Sequence, residues 1–262
     1  MDIKKEAVET RNPRRYLQPG QSPHQRALEK FIIVLVWIYQ WHITISPLIQ
    51  DLLGTTETTF LRELEKKGYV KSFPAPRLVS GTGYMLTKDG VNIAAGLLEE
   101  ELQYSTHPAS VSHANLKHDL SVQRFAIIGK QKGFDVSRCR DSASINEKIP
   151  DAYLQTGDRK YAVEIELTGK WDHELEQSLN GHLKAIEKAK WTDVLYVSNS
   201  KSILNRYEER LKSPIPDWFQ SMSHGQRRWI RGDSQTLDEQ TLAKFRFFRV
   251  PNLLKGFEQV KL

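Results

Sequence analysis

Between His113 and Lys212 the hydrophobic pattern changes period repeatedly, and this alternation constrains the fold more than any other feature of the chain. The spacing predicts a helix from His113 to Lys132, stopped by Gly133. An extended piece follows at Phe134–Asp141. Ile149–Leu154 and Tyr161–Leu167 then flank a Gly157-Asp158 turn and read as a hairpin. A helix over Trp171–Lys190, a buried strand over Asp193–Ser198, a helix over Ile203–Lys212 and a late strand over Lys244–Val250 complete the series. Each such element has an apolar face that a neighbour must cover, and this order is that of a compact α/β sandwich.

The first part of the chain has a different cadence. Residues 1–21 are polar, with Arg11, Pro13, Arg14, Arg15, Pro19 and Gly20, and read as a flexible arm. Ser22-Pro23 supplies an N-cap and a proline for a first helix reaching Tyr39. Pro47–Leu53, stopped by Gly54, and Glu57–Lys67, stopped by Gly68, are the next two helices. Phe60, Leu61 and Leu64 put apolar groups on one face of the third helix. Two extended pieces follow, Tyr69–Phe73 and Tyr84–Thr87. Thr87-Lys88-Asp89-Gly90 closes the unit, and Val91–Leu102 reads as helix. Small, polar and proline residues make 104–112 a linker, which leaves 22–103 and 113–262 as two domains.

Composition bounds the function. Hydrophobic residues make up 39% of the 262, with 6 Trp, 9 Tyr and 10 Phe, which is enough for cores and excludes a largely disordered chain. Cys139 is the single cysteine, so neither an intrachain disulfide nor a thiolate zinc site is available, in keeping with a cytoplasmic protein. The longest apolar run, Phe31 to Tyr39, falls well short of the ~20 residues that span a bilayer. Membrane insertion is not expected, and Trp37 and Trp41 read as core or as a dimer face. Lys and Arg number 38 against 32 Asp and Glu, a charge of +6 that is compatible with nucleic acid without proving it.

The chemistry concentrates in residues 149–170. Asp151 lies in the first arm of the predicted hairpin and Glu164 in the second, so strand pairing can bring both carboxylates to one ion. Glu164 and Glu166 are two apart and share a face, with Val163, Ile165 and Leu167 on the other. Three acids gathered there would repel one another without a cation. Hard oxygen ligands of this kind suit Mg²⁺ or Mn²⁺. Lys170 could contact a phosphate at the rim. The competing expectation is an ordinary half-exposed strand with its acids on the wet side.

Helix, short helix, helix and hairpin, with the phrases Gly68-Tyr69-Val70 and Gly83-Tyr84-Met85-Leu86-Thr87, resemble a winged helix-turn-helix domain. On that resemblance Thr58, Thr59, Arg62, Lys71 and Arg77 are the DNA contacts. Pro150-Asp151 and Glu164 resemble the opening pair and second acid of the PD-(D/E)xK nuclease superfamily. Its restriction-endonuclease-like fold makes the whole chain α+β, a winged helix followed by an α/β nuclease domain. The family's usual lysine is replaced by Glu166. Either Lys170 or Lys184 substitutes for it, or Glu166 is a third metal ligand, or the site is inactive. With His118-Asp119-Leu120 on the preceding helix, residues 25–200 resemble the MOBC-type plasmid mobilisation relaxases and the related replication-relaxation proteins. That resemblance implies metal-dependent DNA nicking at a plasmid transfer origin, relaxosome accessory and coupling proteins as partners, and a role for His118 or Asp119 in positioning metal or water. The alternatives are a non-catalytic DNA-binding replication or mobilisation accessory or regulator with a decayed nuclease fold, and a protein-docking adaptor.

Overall fold

The computed structural model describes residues 22–57, 59–76, 78, 81–99, 103–139, 148–223 and 226–253. They form a mixed α+β protein whose chain divides between His113 and Ala114 into two compact units. The predicted arm, 1–21, lies outside the described residues, as do Thr58 and Arg77. No helix among the described residues is long and apolar enough to cross a membrane.

In the first unit α1 (Pro23–Trp41) starts at a capping box, in which Ser22 and Gln25 satisfy each other's backbone N–H groups. It is followed by α2 (Ser46–Leu53) and α3 (Phe60–Lys66). The antiparallel pair β1 (Val70–Pro74) and β2 (Thr82–Leu86) comes next, then α4 (Lys88–Leu98). Thr44 bridges Tyr84 through two backbone hydrogen bonds of 2.9 Å and adds a third extended segment to the hairpin. Trp37 and Trp41 are both buried, alongside Val34, Leu35, Ile38, Leu48, Leu61 and Met85. The third helix is shorter than the sequence pattern predicts, because Thr59 is its N-cap rather than a residue on its face. Thr87 likewise caps α4, its Oγ1 accepting from Gly90 N at 3.2 Å, so the predicted closing turn is the first turn of the helix. A Cβ on Gly90 would lie 2.1 Å from the Tyr69 carbonyl oxygen, so only glycine lets α4 approach β1 this closely. Tyr104, in the predicted linker, donates to His42 O at 2.6 Å, accepts from Leu86 N and stacks on Tyr39.

The second unit is built on one five-stranded mixed sheet. In chain order it has α5 (Leu116–Gln131), β3 (Asp135–Arg138), β4 (Ala152–Thr156), β5 (Arg159–Ile165), α6 (Asp172–Glu187), β6 (Asp193–Ser198) and α7 (Lys201–Leu211). The series continues with β7 (Ile215–Ser223), β8 (Gln226–Gln235), α8 (Glu239–Leu242) and β9 (Phe245–Arg249). The sheet order is β3-β4-β5-β6-β9, antiparallel from β3 to β5 and parallel from β5 through β6 to β9. Parallel neighbours need crossovers, and α6 supplies the one from β5 to β6. Its apolar residues Leu175, Leu179 and Leu183 join Leu204, Tyr207 and Leu211 of α7 over Ala162, Val194 and Tyr196. Helix α5 packs on β3, β4 and β5, with Phe125 and Ile128 beside Tyr161 and Leu195 on the opposite face. Strand β5 is therefore covered on both sides, and Glu164 and Glu166 are buried rather than on a wet face. The β7–β8 hairpin and α8 do not figure in the sequence expectation.

Candidate active site

Strand register builds the site. Ala152 of β4 pairs with Val163 of β5, and Asp151, just before β4, donates its N–H to Val163 O at 2.9 Å, which sets it against the Val163–Ile165 end of β5. Glu166 extends β5 beyond its last strand residue. Its N–H donates to Val197 O at 2.8 Å and its carbonyl accepts from Ser198 Oγ at 2.6 Å.

Each acid has partners from its own chain. Glu164, 1% exposed, has Lys148 Nζ 2.9 Å from Oε2. His182 Nε2 lies 3.2 Å from Oε1 but is not aligned to hydrogen-bond it, so Oε1 is a buried acceptor without a hydrogen-bond donor. Burial disfavours the carboxylate, yet His182, Lys148 and Lys170 outweigh it and hold Glu164 down at about 2. His182 is fully buried against the Trp191 and Tyr196 rings, and burial keeps it below its ordinary value despite Glu164. It is no part of a solvated face. Glu166 has both oxygens engaged, Oε1 by Lys170 Nζ and Oε2 by the Tyr207 hydroxyl at 3.1 Å. Burial raises its pKa, opposed by Lys170. Tyr207 in turn accepts from Lys170 N at 3.2 Å.

Asp151 Oδ2 accepts from Ile165 N at 2.7 Å and lies 3.1 Å from His118 Nε2. The same Nε2 is 3.1 Å from the Ile165 carbonyl, which only accepts, so this nitrogen carries a proton. The other ring nitrogen faces Asp119 Oδ1 at 3.6 Å. Burial opposes the imidazolium, but Asp119 and Asp151 outweigh it and raise His118 to about 10. His118 is thus a cationic donor at neutral pH.

Lys148 escapes sequence reasoning altogether. Burial would lower its pKa, yet Glu164 first, and Asp151 and Glu166 after it, hold the ammonium above its ordinary value. One lysine therefore feels all three acids. Its place depends on Gly181 of α6, where an added Cβ would come within 2.8 Å of the Lys148 Cβ and 3.2 Å of its backbone N. No local pattern marks Lys148, since its partners lie 16 and 33 positions along the chain.

The three-acid cage expected from the sequence is thus filled by Lys148, Lys170 and His118. Among the described residues no three His, Cys, Asp or Glu side chains are grouped as ion ligands. Lys184 is exposed, 3.5 Å from Asp217 Oδ1, and lines an open cavity of about 780 Å³ together with Lys148 and Lys170. In the first unit Arg62 is exposed on α3, Lys71 is half-buried on β1, and Thr59 Oγ1 donates to Glu57 Oε1 at 3.4 Å. Compared with protein-family models, curated proteins and solved structures, the chain finds no match.

Proposed function

We propose that the second unit is a metal-dependent nuclease on a restriction-endonuclease-like core, and that the first unit is a winged helix that recognises duplex DNA. The observation that carries the reading is that Asp151 and Glu164 stand on neighbouring strand segments, with Lys148 Nζ 2.9 Å from Glu164 Oε2. An ionised Glu164 kept in a covered site is costly, and structures retain such groups where they act. The order α5, three antiparallel strands, α6 and a parallel β6 supports the fold assignment.

Asp151 and Glu164 fit one Mg²⁺ or Mn²⁺. Glu164 Oε1 is a buried oxygen with no hydrogen-bond donor, and such ions take one or two carboxylates and complete their shell from phosphate and water. Glu166, with both oxygens engaged, is left out of that donor set and instead anchors Lys170. Bound there, the ion supplies Lewis acidity toward a phosphoryl oxygen. The chain's own groups do the rest. Lys148 and Lys170 draw the phosphodiester in, and His118, donating to Asp151 Oδ2 at 3.1 Å, holds that carboxylate in position. Tyr207 holds Glu166, and with it Lys170, in place. In line with the resemblance to mobilisation relaxases, the substrate is supercoiled plasmid DNA nicked on one strand at a transfer origin.

The test is nicking of supercoiled cognate plasmid with Mn²⁺. The wild type should nick, and Asp151→Ala and Glu164→Ala should each lose roughly 10²–10⁴-fold, the effect of removing a positioned catalytic group. Equal nicking by all three proteins overturns the proposal. A second reading, a DNA-binding accessory without cutting activity, is favoured by the lysines that already neutralise Glu164 and Glu166. It predicts duplex binding, with no nicking and no divalent-ion uptake in a calorimetric titration.

A further inference from the structure

The β7–β8 hairpin projects large apolar side chains into water on both faces. Register pairs Phe219 with Ile230 and Trp218 with Arg231, so Trp218, Trp229 and Arg231 share one face and Phe219 and Ile230 the other. Phe219 is 51% exposed and Trp229 44%, while Arg228 and Arg231 are exposed beside them. The base of the hairpin is nevertheless fixed. Trp218 Nε1 donates to Glu176 Oε2 at 2.6 Å, and Arg210 of α7 holds the other Glu176 oxygen. Asn180, buried on α6, ties both arms. Its Nδ2 donates to Pro216 O at 2.7 Å, and its Oδ1 accepts from Gln235 Nε2 at 3.2 Å. Between this hairpin and α6 lies the cavity of about 780 Å³, whose lining includes Trp218, Phe219 and Trp229, the cations Lys148, Lys170 and Lys184, and the acids Glu174 and Asp217.

We propose that the cavity and hairpin form a groove for single-stranded DNA, in which Trp229 and Phe219, both in its lining, stack on unpaired bases while Lys184 and Arg231, the latter on the Trp229 face, follow the phosphates. The identity of the polymer rests on the nuclease reading above. Every nucleobase has a π-face, but a duplex keeps those faces stacked inside, so exposed rings beside cations match an unpaired strand better than a double helix. The groove is lined by Lys148 and Lys170, the two lysines that pair with Glu164 and Glu166. With a net charge of +6 the chain favours a polyanion over a second copy of itself.

The experiment uses the full chain in EDTA, which separates binding from cleavage, with two fluorescein-labelled probes read by anisotropy. One is a single-stranded oligothymidine of about 15 nucleotides, and the other is a mixed-sequence duplex. The wild type should bind the single strand with steep salt dependence. Trp229→Ala and Phe219→Ala should each weaken that binding roughly five- to a hundredfold, with duplex binding unchanged. Trp229→Phe should restore most of the affinity. Failure of the wild type to bind the single strand, or equal binding by wild type and the alanine variants, overturns the proposal. So does an equal loss on both probes, or a dimer in sedimentation that dissociates with Trp229→Ala. If plasmid nicking needs Asp151 but single-strand binding does not need the aromatics, this inference alone fails. If binding needs the aromatics and nicking is absent, the nuclease reading alone fails.

Discussion

The two units solve the problem of a core in opposite ways. Among the described residues, Thr44 is the one polar side chain fully buried in the first unit, whose interior is otherwise aliphatic and aromatic. The second unit buries Glu164, Glu166, Glu176, Asn180, His182 and Asp193 within a comparable span of chain. An apolar interior is sufficient for folding, since burial of about 25 cal/mol per Å² of apolar surface drives it without help from charge. A carboxylate moved out of water gains nothing unless partners replace the solvent, and even then an apolar replacement is often as stable. The first interior is accounted for by folding alone. The second carries buried charged groups that folding alone does not require.

That contrast is open to direct tests. The largest effect is expected from Lys148→Met, which leaves Glu164 buried beside a neutral side chain. Breaking such a pair costs about 3–5 kcal/mol, and because Lys148 is 26% exposed the lower end of that range applies. Lys30→Met removes the corresponding ion pair of the first unit, 3.4 Å from the half-open Glu57, and should cost about 0–1 kcal/mol. Urea unfolding of both variants checks the pair, and equal losses would erase the distinction between the units.

Gly181→Ala should cost about 1–3 kcal/mol through overpacking, because the new methyl displaces Lys148. It should also reduce plasmid nicking, and unchanged nicking would remove Lys148 from the machinery. A pH series separates two signs within one site. His118 is raised to about 10 from 6.5, so its contribution to stability is complete below about 6.5 and is lost as pH climbs toward 10. Glu164 is lowered to about 2 from 4.5, so its contribution is present above about 4.5 and is lost on acidification toward 2. The stability gap between wild type and His118→Gln should shrink from pH 6.5 to 10, and a constant gap would contradict the imidazolium. The smallest effect belongs to the first unit. Arg62→Ala should weaken duplex binding modestly and reduce the salt slope by about 0.9, the share of one phosphate contact.

Much of this organisation was legible in the residues. The strand Asp193–Ser198 was read at its observed bounds, because a parallel strand covered on both faces is a short continuous apolar run. The antiparallel pairing of the two arms that carry Asp151 and Glu164 followed from the hairpin around Gly157. The helix starts at Thr59 and Thr87 were misplaced by about one turn, since helix ends are the part of an element that composition marks least sharply. The β7–β8 hairpin was missed because its arms carry Pro216, Arg227, Arg228, Gly232 and Asp233, which dilute the alternation that marks a half-buried strand. The helix neighbours of His182, among them Lys184, Glu187 and Lys188, are polar and give no hint of its burial. Only tertiary packing against Trp191 and Tyr196 identifies it as interior. Partners remote along the chain leave no periodic trace, and Lys148 is the clearest case.

The β4–β5 ladder couples architecture to charge in a further way. Side chains alternate along β5, so a slip of one residue would carry Val163 and Ile165 to the face that receives Lys148 and Lys170. Glu164 and Glu166 would be driven into the greasy layer beneath α5. Mispaired chains would meet two unneutralised anions and two stranded ammonium groups at once. Alignment errors in this sheet therefore carry an electrostatic penalty, and the acids proofread the pairing that assembles them.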